Sequence, residues 1–327
     1  MFCDLHVHST ASDGTIPPAQ LARLARSAGL GAIALTDHDT TGGLTQCAAA
    51  CEEAGVAFVP GIEISADPAI ESPHAGQGSE SDSPTAVQTA SDTSQRRGTL
   101  HILGLFVRHD DTELQAIHHR MRDARDSRNP AIVQKLTELG VDIEYDEVLE
   151  LAAAQGTKII GRPHIAQVLV TKGYVKTIQA AFASYIGQGA PAYVRRDRLP
   201  AAEAIRAIHH AGGLSILAHP VQLGLRDPGA LEHFVARLRQ VDLDGIETQH
   251  SDHDPLLIRQ YTALAERFEL LTSGGSDFHG SRKSSELGCV PVRMAVYEKL
   301  RRAAAAGQSK RAAEQQSRKA AFRRRGE

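Results

Sequence analysis

Five short segments spread along the chain bring metal-binding residue types to the ends of apolar runs. They are Asp4-Leu5-His6-Val7-His8, Ser12-Asp13-Gly14, Thr36-Asp37-His38-Asp39, Gly61-Ile62-Glu63 and Ser276-Asp277-Phe278-His279. Neutral imidazole and ionised carboxylate are the ligands of borderline and hard divalent ions. His6 and His8 are two residues apart, so a strand would turn both side chains to one face. Asp277 and His279 repeat that spacing. Glu63 sits in the apolar run 59–64, where an unpaired carboxylate would be costly. His101 lies in another apolar run, and His219 follows Ile216-Leu217-Ala218. A single histidine pair would pass as two hydrogen-bonded core residues. Recurrence at so many strand ends is better explained by one metal cluster.

The elements that must position these residues follow from periodicity and from stop signals. Strands are expected at 2–8, 31–36 and 57–65, with helices at 17–28 and 44–54 between them. This βαβαβ rhythm implies a parallel sheet covered by helices. Residues 67–98 are rich in Ser, Asp, Gln, Thr, Gly and Pro and carry almost no large apolar side chains. Such a stretch buries too little surface to offset its ordering entropy. We expect a mobile loop there, joining the third strand to an adjacent one at 99–107. Residues 111–200 read as helical, with helices at 112–139, 145–154, 163–172 and 177–186 and no clear strand. Alternation then returns: helices at 201–211, 229–240 and 255–267 each precede a strand, at 214–218, 245–249 and 270–273. The expected organisation is an α/β barrel from 1–110 and 201–302, a helical insert at 111–200 capping its mouth, and a basic, frayed tail at 303–327. In parallel α/β folds the carboxyl ends of the strands form the active-site face.

Composition narrows the classes. The 327 residues fit one barrel with a smaller insert, and 42% hydrophobic content is that of a globular protein. A formal charge of −3 suits neither a nucleic-acid-coating nor a membrane-surface protein. Sixteen histidines is the anomaly. Cys3, Cys47, Cys51 and Cys289 form no C-x-x-C pair and suggest no disulfide framework. Cys47 and Cys51 share a helix face at i, i+4, which suits small core residues better than a metal site. The early first strand leaves no room for a signal peptide, and no apolar run is long enough to span a bilayer. A cytoplasmic protein is expected, and no protein partner is inferable.

The chain resembles the PHP (polymerase and histidinol phosphatase) family of metal-dependent phosphoesterases. The resemblance rests on DLHVHSTASDGT at 4–15, ALTDHDTTGG at 34–43, GIEIS at 61–65, HILG at 101–104, LAHP at 217–220 and GSDFH at 275–279, in the family's order. It implies a distorted (β/α)7 barrel with three divalent metal ions. Carried over residue by residue, His6, His8, Glu63 and Asp277 would hold the first ion. Glu63 would bridge to a second, also held by His101 and His164, and Asp13, His38 and His279 would hold the third. His219 matches an active-site histidine outside the metal set, so it and Glu63 are the expected catalytic residues. The mixed nitrogen and oxygen donors suit Mn²⁺, with Fe²⁺ or Zn²⁺ as alternatives.

Within the family the chain is most similar to a branch that removes the 3′-phosphate of nucleoside 3′,5′-bisphosphates, some members of which are also 5′→3′ exoribonucleases. The helical insert, Arg162-Pro163-His164 and Gly189-Ala190-Pro191-Ala192-Tyr193-Val194 carry that likeness; the long loop at 67–98 departs from it. The expected reaction is phosphate-ester hydrolysis by metal-activated hydroxide, on a small phosphorylated nucleotide. Arg162, Arg195 and Arg196 are the candidates for gripping a second phosphate, because a guanidinium fork matches its geometry. Alternatives are an exoribonuclease acting on RNA ends, a histidinol-phosphate phosphatase, and a non-catalytic polymerase accessory. The last would be expected to have lost ligands, and all nine are present. Aromatic content of 4% without Trp disfavours an extended base-stacking platform. His74, His118, His119, His209 and His210 fit surface or capping roles.

Overall fold

The computed structural model describes residues 1–67, 98–156, 160–195, 198–225 and 227–325, and from 311 onward the backbone alone. Residues 68–97 of the expected loop, His74 among them, and Arg196 lie outside the described residues.

Among the described residues, nine strands form one sheet: β1 (Phe2–Asp4), β2 (Leu30–Leu35), β3 (Ala57–Asp67), β4 (Leu100–Leu105), β5 (Leu199–Pro200), β6 (Leu214–Leu217), β7 (Gly245–His250), β8 (Leu271–Gly275) and β9 (Val292–Arg293). The order is β8-β7-β6-β4-β3-β2-β1-β9, with β5 paired to the end of β3. Leu5 N–H donates to Gly274 O at 3.2 Å and His8 N–H to Phe278 O at 2.9 Å, which brings the chain after β1 alongside β8. Seven strands thereby nearly close a barrel. Its distortion has a definite cause: β4 runs antiparallel to both β3 and β6. The segment expected as one strand over 2–8 is a regular ladder only to Asp4. Beyond it the chain also bonds to β8 and the segment after it, while Val7 still meets Thr36 at the end of β2.

Helices α1 (Pro18–Ser27), α2 (Leu44–Ala54), α7 (Ala201–His210), α8 (Pro228–Gln240) and α9 (Pro255–Arg267) cover the sheet. Leu21, Cys47, Ile205, Val235 and Tyr261 from these helices pack with Ile33, Ile62 and Ile102 of the strands. A second apolar cluster joins Cys3, Leu5, Ala34, Leu103 and Ile216 to Leu300 and Ala304 of α10 (Met294–Arg325). The tail expected to fray from 303 is thus the continuation of this helix, anchored at its start by Leu300 and Ala304. Its run of alanine, lysine, arginine and glutamine favours helix.

Between β4 and β5 lie α3 (Thr112–Glu138), α4 (Tyr145–Ala154), α5 (Arg162–Thr171) and α6 (Ile178–Ala181), then a π-helical turn at Phe182–Ile186. Leu114, Ile117 and Met121 of α3 belong to the sheet-side core. Past Pro130, its Ile132 and Leu136 join Val148, Ile165, Leu169 and Ile186 in a separate cluster. The helical stretch therefore has a core of its own, and α3 runs into it from the sheet-side core. No helix among the described residues is long and apolar enough to cross a membrane.

Candidate metal centre

The sites of interest lie just past the strand ends. His6 and His8 follow β1, His38 follows β2, Glu63 lies inside β3, and Asp277 and His279 follow β8. Three buried carboxylates fix the loops that carry them. Asp4 accepts from Ser276 N–H at 2.9 Å and Ser276 Oγ at 2.5 Å. Asp37 accepts from Ser9 Oγ and Ser12 Oγ, both at 2.6 Å. Asp39 accepts from Ser65 N–H at 2.8 Å and pairs with Arg125. Close approach is enforced at Gly275, where a Cβ would lie 2.5 Å from the His6 backbone nitrogen. Backbone strain also gathers here: Asp39, His219 and Asp277 adopt φ of +53°, +23° and +52°. Non-glycine residues persist in that region where the surrounding structure over-determines them.

The first expected ligand set is brought together. His6 Nε2 lies 3.4 Å from Glu63 Oε2 and 3.5 Å from Asp277 Oδ1. His8 Nε2 lies 3.2 and 3.3 Å from the same two oxygens. Donors bonded to one ion at about 2.0–2.1 Å in a tetrahedral array sit about 3.3 Å apart. His6 Nε2, His8 Nε2 and Glu63 Oε2 are buried without hydrogen-bond partners among the described residues. Spacing, donor type and missing partners all fit a divalent cation.

His8, Asp13, His38 and His279 form a second group of converging donors, and His38, Glu63 and His101 a third. Glu63 is the hinge of the arrangement. Its Oε2 is 3.0 Å from His38 Nδ1, and its Oε1 is 2.8 Å from both His101 Nδ1 and His219 Nε2.

His164 is the one expected ligand outside these groups. Its Nδ1 accepts from Gly161 N–H at 3.0 Å, closing the first turn of α5, and its Nε2 faces Arg282 Nη2 at 2.9 Å. Beside Glu63 and His101 the structure places His219 instead. The run Gly161-Arg162-Pro163-His164 is a helix-start signature, with proline in the first turn and a capping side chain at the third position.

Burial works against ionisation of Glu63, yet His38, His101 and His6 hold its carboxyl well below the usual range. Asp277 is likewise held low against burial, by Lys283 and His6. Burial opposes a charge on His8, but the neighbouring Asp277 and Glu63 carboxylates lift its pKa to about 9. Burial prevails at His101 and pushes it down to about 4. The carboxylates are thus charged at neutral pH, as metal ligands must be.

Glu247 and His250 also belong to the centre, although neither stands out by motif. Glu247 is fully buried, and its Oε1 lies 3.2 Å from His6 Nδ1 while Oε2 accepts from His219 N–H at 2.8 Å. His250 Nε2 is 3.5 Å from Asp277 Oδ2. A signal was there: Gly245-Ile246-Glu247 repeats Gly61-Ile62-Glu63.

A cavity of about 780 Å³ opens over the cluster, with Asp13, Glu63 and His219 on one side and Arg162, Phe182 and Tyr193 of the helical stretch on the other. Arg162 stacks over the Phe182 ring at 5.2 Å. A smaller recess of about 180 Å³ is lined by Arg125, Arg128, Arg162 and Arg198. Arg195 is exposed and pairs with Asp67 at 3.0 Å, so the structure does not bring it to either space. His209 and His210 pair with Asp244 and Asp111.

Residues 4–212, more than half of the chain, match the PHP domain model. The chain belongs to the PHP family. It is 32% identical to a 5′-3′ exoribonuclease of Haemophilus influenzae over 87% of its own length and 92% of that protein's. It is 30% identical to a 3′,5′-nucleoside bisphosphate phosphatase of Chromobacterium violaceum, covering 84% and 86%. A phosphoribosyl 1,2-cyclic phosphate 1,2-diphosphodiesterase of Eggerthella lenta is 31% identical, covering 86% and 95%. Among solved structures, a protein from Bifidobacterium adolescentis described as a metal-dependent phosphoesterase superposes with a TM-score of 0.73 at 28% identity, covering 91% and 94%. This PHP chain is a hydrolase of phosphate esters.

Proposed function

We propose that this enzyme removes the 3′-phosphate of nucleoside 3′,5′-bisphosphates, with two to three transition-metal ions, Mn²⁺ foremost, in a barrel of residues 1–110 and 201–302 roofed by 111–200. The observation that carries the reading is the pairing of a metal-ligand cluster with an arginine-lined recess across one cavity. A substrate with two phosphates has an anion for each. Bound ions would supply Lewis acidity and an activated water. Glu63 joins the ligand groups, His101 and His219 flank its second oxygen, and Lys283 pairs with Asp277 at the cavity wall. Arg162 and Arg198 line both spaces and would hold the distal phosphate, while the Phe182 and Tyr193 rings face the nucleoside.

Elemental analysis of purified protein is expected to give two to three transition-metal ions per chain, with activity lost in chelator. Full activity in chelator with no bound metal would overturn the metal reading. Arg162→Ala is expected to lower kcat/KM for a bisphosphate roughly tenfold to a hundredfold, the worth of one charge-assisted hydrogen bond. A mononucleotide, with nothing for Arg162 to grip, should lose far less. Equal losses on both substrates would assign Arg162 to the fold and remove the best support for a second-phosphate site. The relative named as an exoribonuclease favours a second reading, in which the 5′ end of a short RNA enters the same cavity. Release of mononucleotides from 5′-phosphorylated RNA at a rate matching bisphosphate hydrolysis would select it.

A further inference from the structure

Two donors claim the ring of His164, and a neutral imidazole has one lone pair. Gly161 N–H takes Nδ1 within the first turn of α5, which puts the ring proton on Nε2. Arg282 Nη2 lies 2.9 Å from that same nitrogen, so a guanidinium N–H meets an N–H. Nη2 also reaches Gln155 Oε1. Nη1 is buried and has no partner among the described residues. A buried, incompletely paired cationic donor is costly unless something completes it. Arg282 lines the larger cavity beside Asp13, Asp277, His279 and Lys283, on the metal side. What completes a guanidinium at such a place is an oxyanion.

We infer that Arg282 grips the phosphoryl group undergoing hydrolysis through its guanidinium, and that His164 is a positioning residue whose fixed ring keeps the guanidinium from turning away from the cavity, rather than a metal ligand. The assignment rests on the phosphate-ester reading above and is separate from the distal arginines. His164 is fixed by the cap of α5 and cannot follow Arg282 away from the cavity. Gln155 restrains the same nitrogen from the end of α4. The fork is thereby aimed before substrate arrives, so its ordering cost is met in the fold.

The test uses metal-loaded full-length protein and orthophosphate as the probe, with binding measured by calorimetry and metal counted by elemental analysis. Arg282→Met is expected to keep the wild-type metal count and weaken orthophosphate roughly tenfold to a hundredfold. Should that variant not fold, Arg282→Lys keeps the charge without the fork and is expected to lose at least about threefold. His164→Leu should keep its metal and lose phosphate affinity. His164→Gln, which offers an amide oxygen and an N–H in place of the ring nitrogens, should recover most of it. Loss of an ion in any of these variants would overturn the assignment. So would unchanged orthophosphate affinity in Arg282→Met, in Arg282→Lys where Met does not fold, or in His164→Leu, or a wild type that binds no orthophosphate. Turnover plays no part in this readout. Arginine-dependent phosphate binding in a protein that spares bisphosphates would sink the substrate reading alone.

Discussion

Glu63→Gln is expected to lose turnover almost completely while the fold persists. Glu63 lies within 3.4 Å of five imidazoles, those of His6, His8 and His38 at one oxygen and His101 and His219 at the other. An amide offers one weaker oxygen and turns an NH₂ group toward the other side. It can then serve one set of donors and repels ions from the second. Loss of an outer partner of a metal ligand already costs roughly 10–100-fold. A residue that joins two ligand groups should cost more than that in kcat. The fold should tolerate the change because Ile62, Ile64 and Leu103 around it are fully buried and apolar. Burial of such side chains is worth about 1.5–3 kcal/mol each. The measurements are kcat with saturating Mn²⁺, circular dichroism and a thermal melt. A folded variant with kcat within about tenfold of wild type would mean that Glu63 does not join the groups.

The barrel was legible because its signals are local and repeated. Apolar runs, helix starts and glycine stops give most elements to within two residues, as at Tyr145–Ala154 and Pro255–Arg267. What local signals could not give was direction. Nothing within 100–105 says that β4 runs antiparallel to its neighbours, and the two-residue β5 is too short to carry a pattern. At the site, His6, His8, His38 and His279, each read from the end of an apolar run, lie in the converging groups of donors. His164, expected from the family resemblance alone, lies at the start of α5 and accepts from Gly161 N–H. Glu247 escaped because no second ligand type stands next to it in the chain; only the fold brings His6 to it. Arg125 and Arg128 escaped for a related reason. They are three apart on α3 and buried, but a run of charges on a helix ordinarily marks its solvated face.

Glu247 also sets a prediction of the opposite kind, a loss that added metal restores. It holds two histidines of the centre at once: the His6 ring through Nδ1, and His219 through its backbone N–H. Burial raises its pKa, but His6 and His250 outweigh that and bring it to about 2. It is therefore charged at any working pH. A carboxylate behind a ligating imidazole fixes the ring's tautomer and strengthens its other nitrogen as a donor. In Glu247→Gln the single amide oxygen can accept from His6 or from His219, and the NH₂ group meets a donor on the other. Metal affinity should therefore fall roughly 10–100-fold. Because Glu247 stands behind His6, kcat at saturating Mn²⁺ should recover to within a few-fold of wild type, unlike that of Glu63→Gln. Competition against a chelator gives the affinity, and a Mn²⁺ titration of activity gives the recovery. Unchanged affinity would mean that His6 does not need the carboxylate behind it. A deficit in kcat that persists at saturating metal would place Glu247 in contact with the reaction itself.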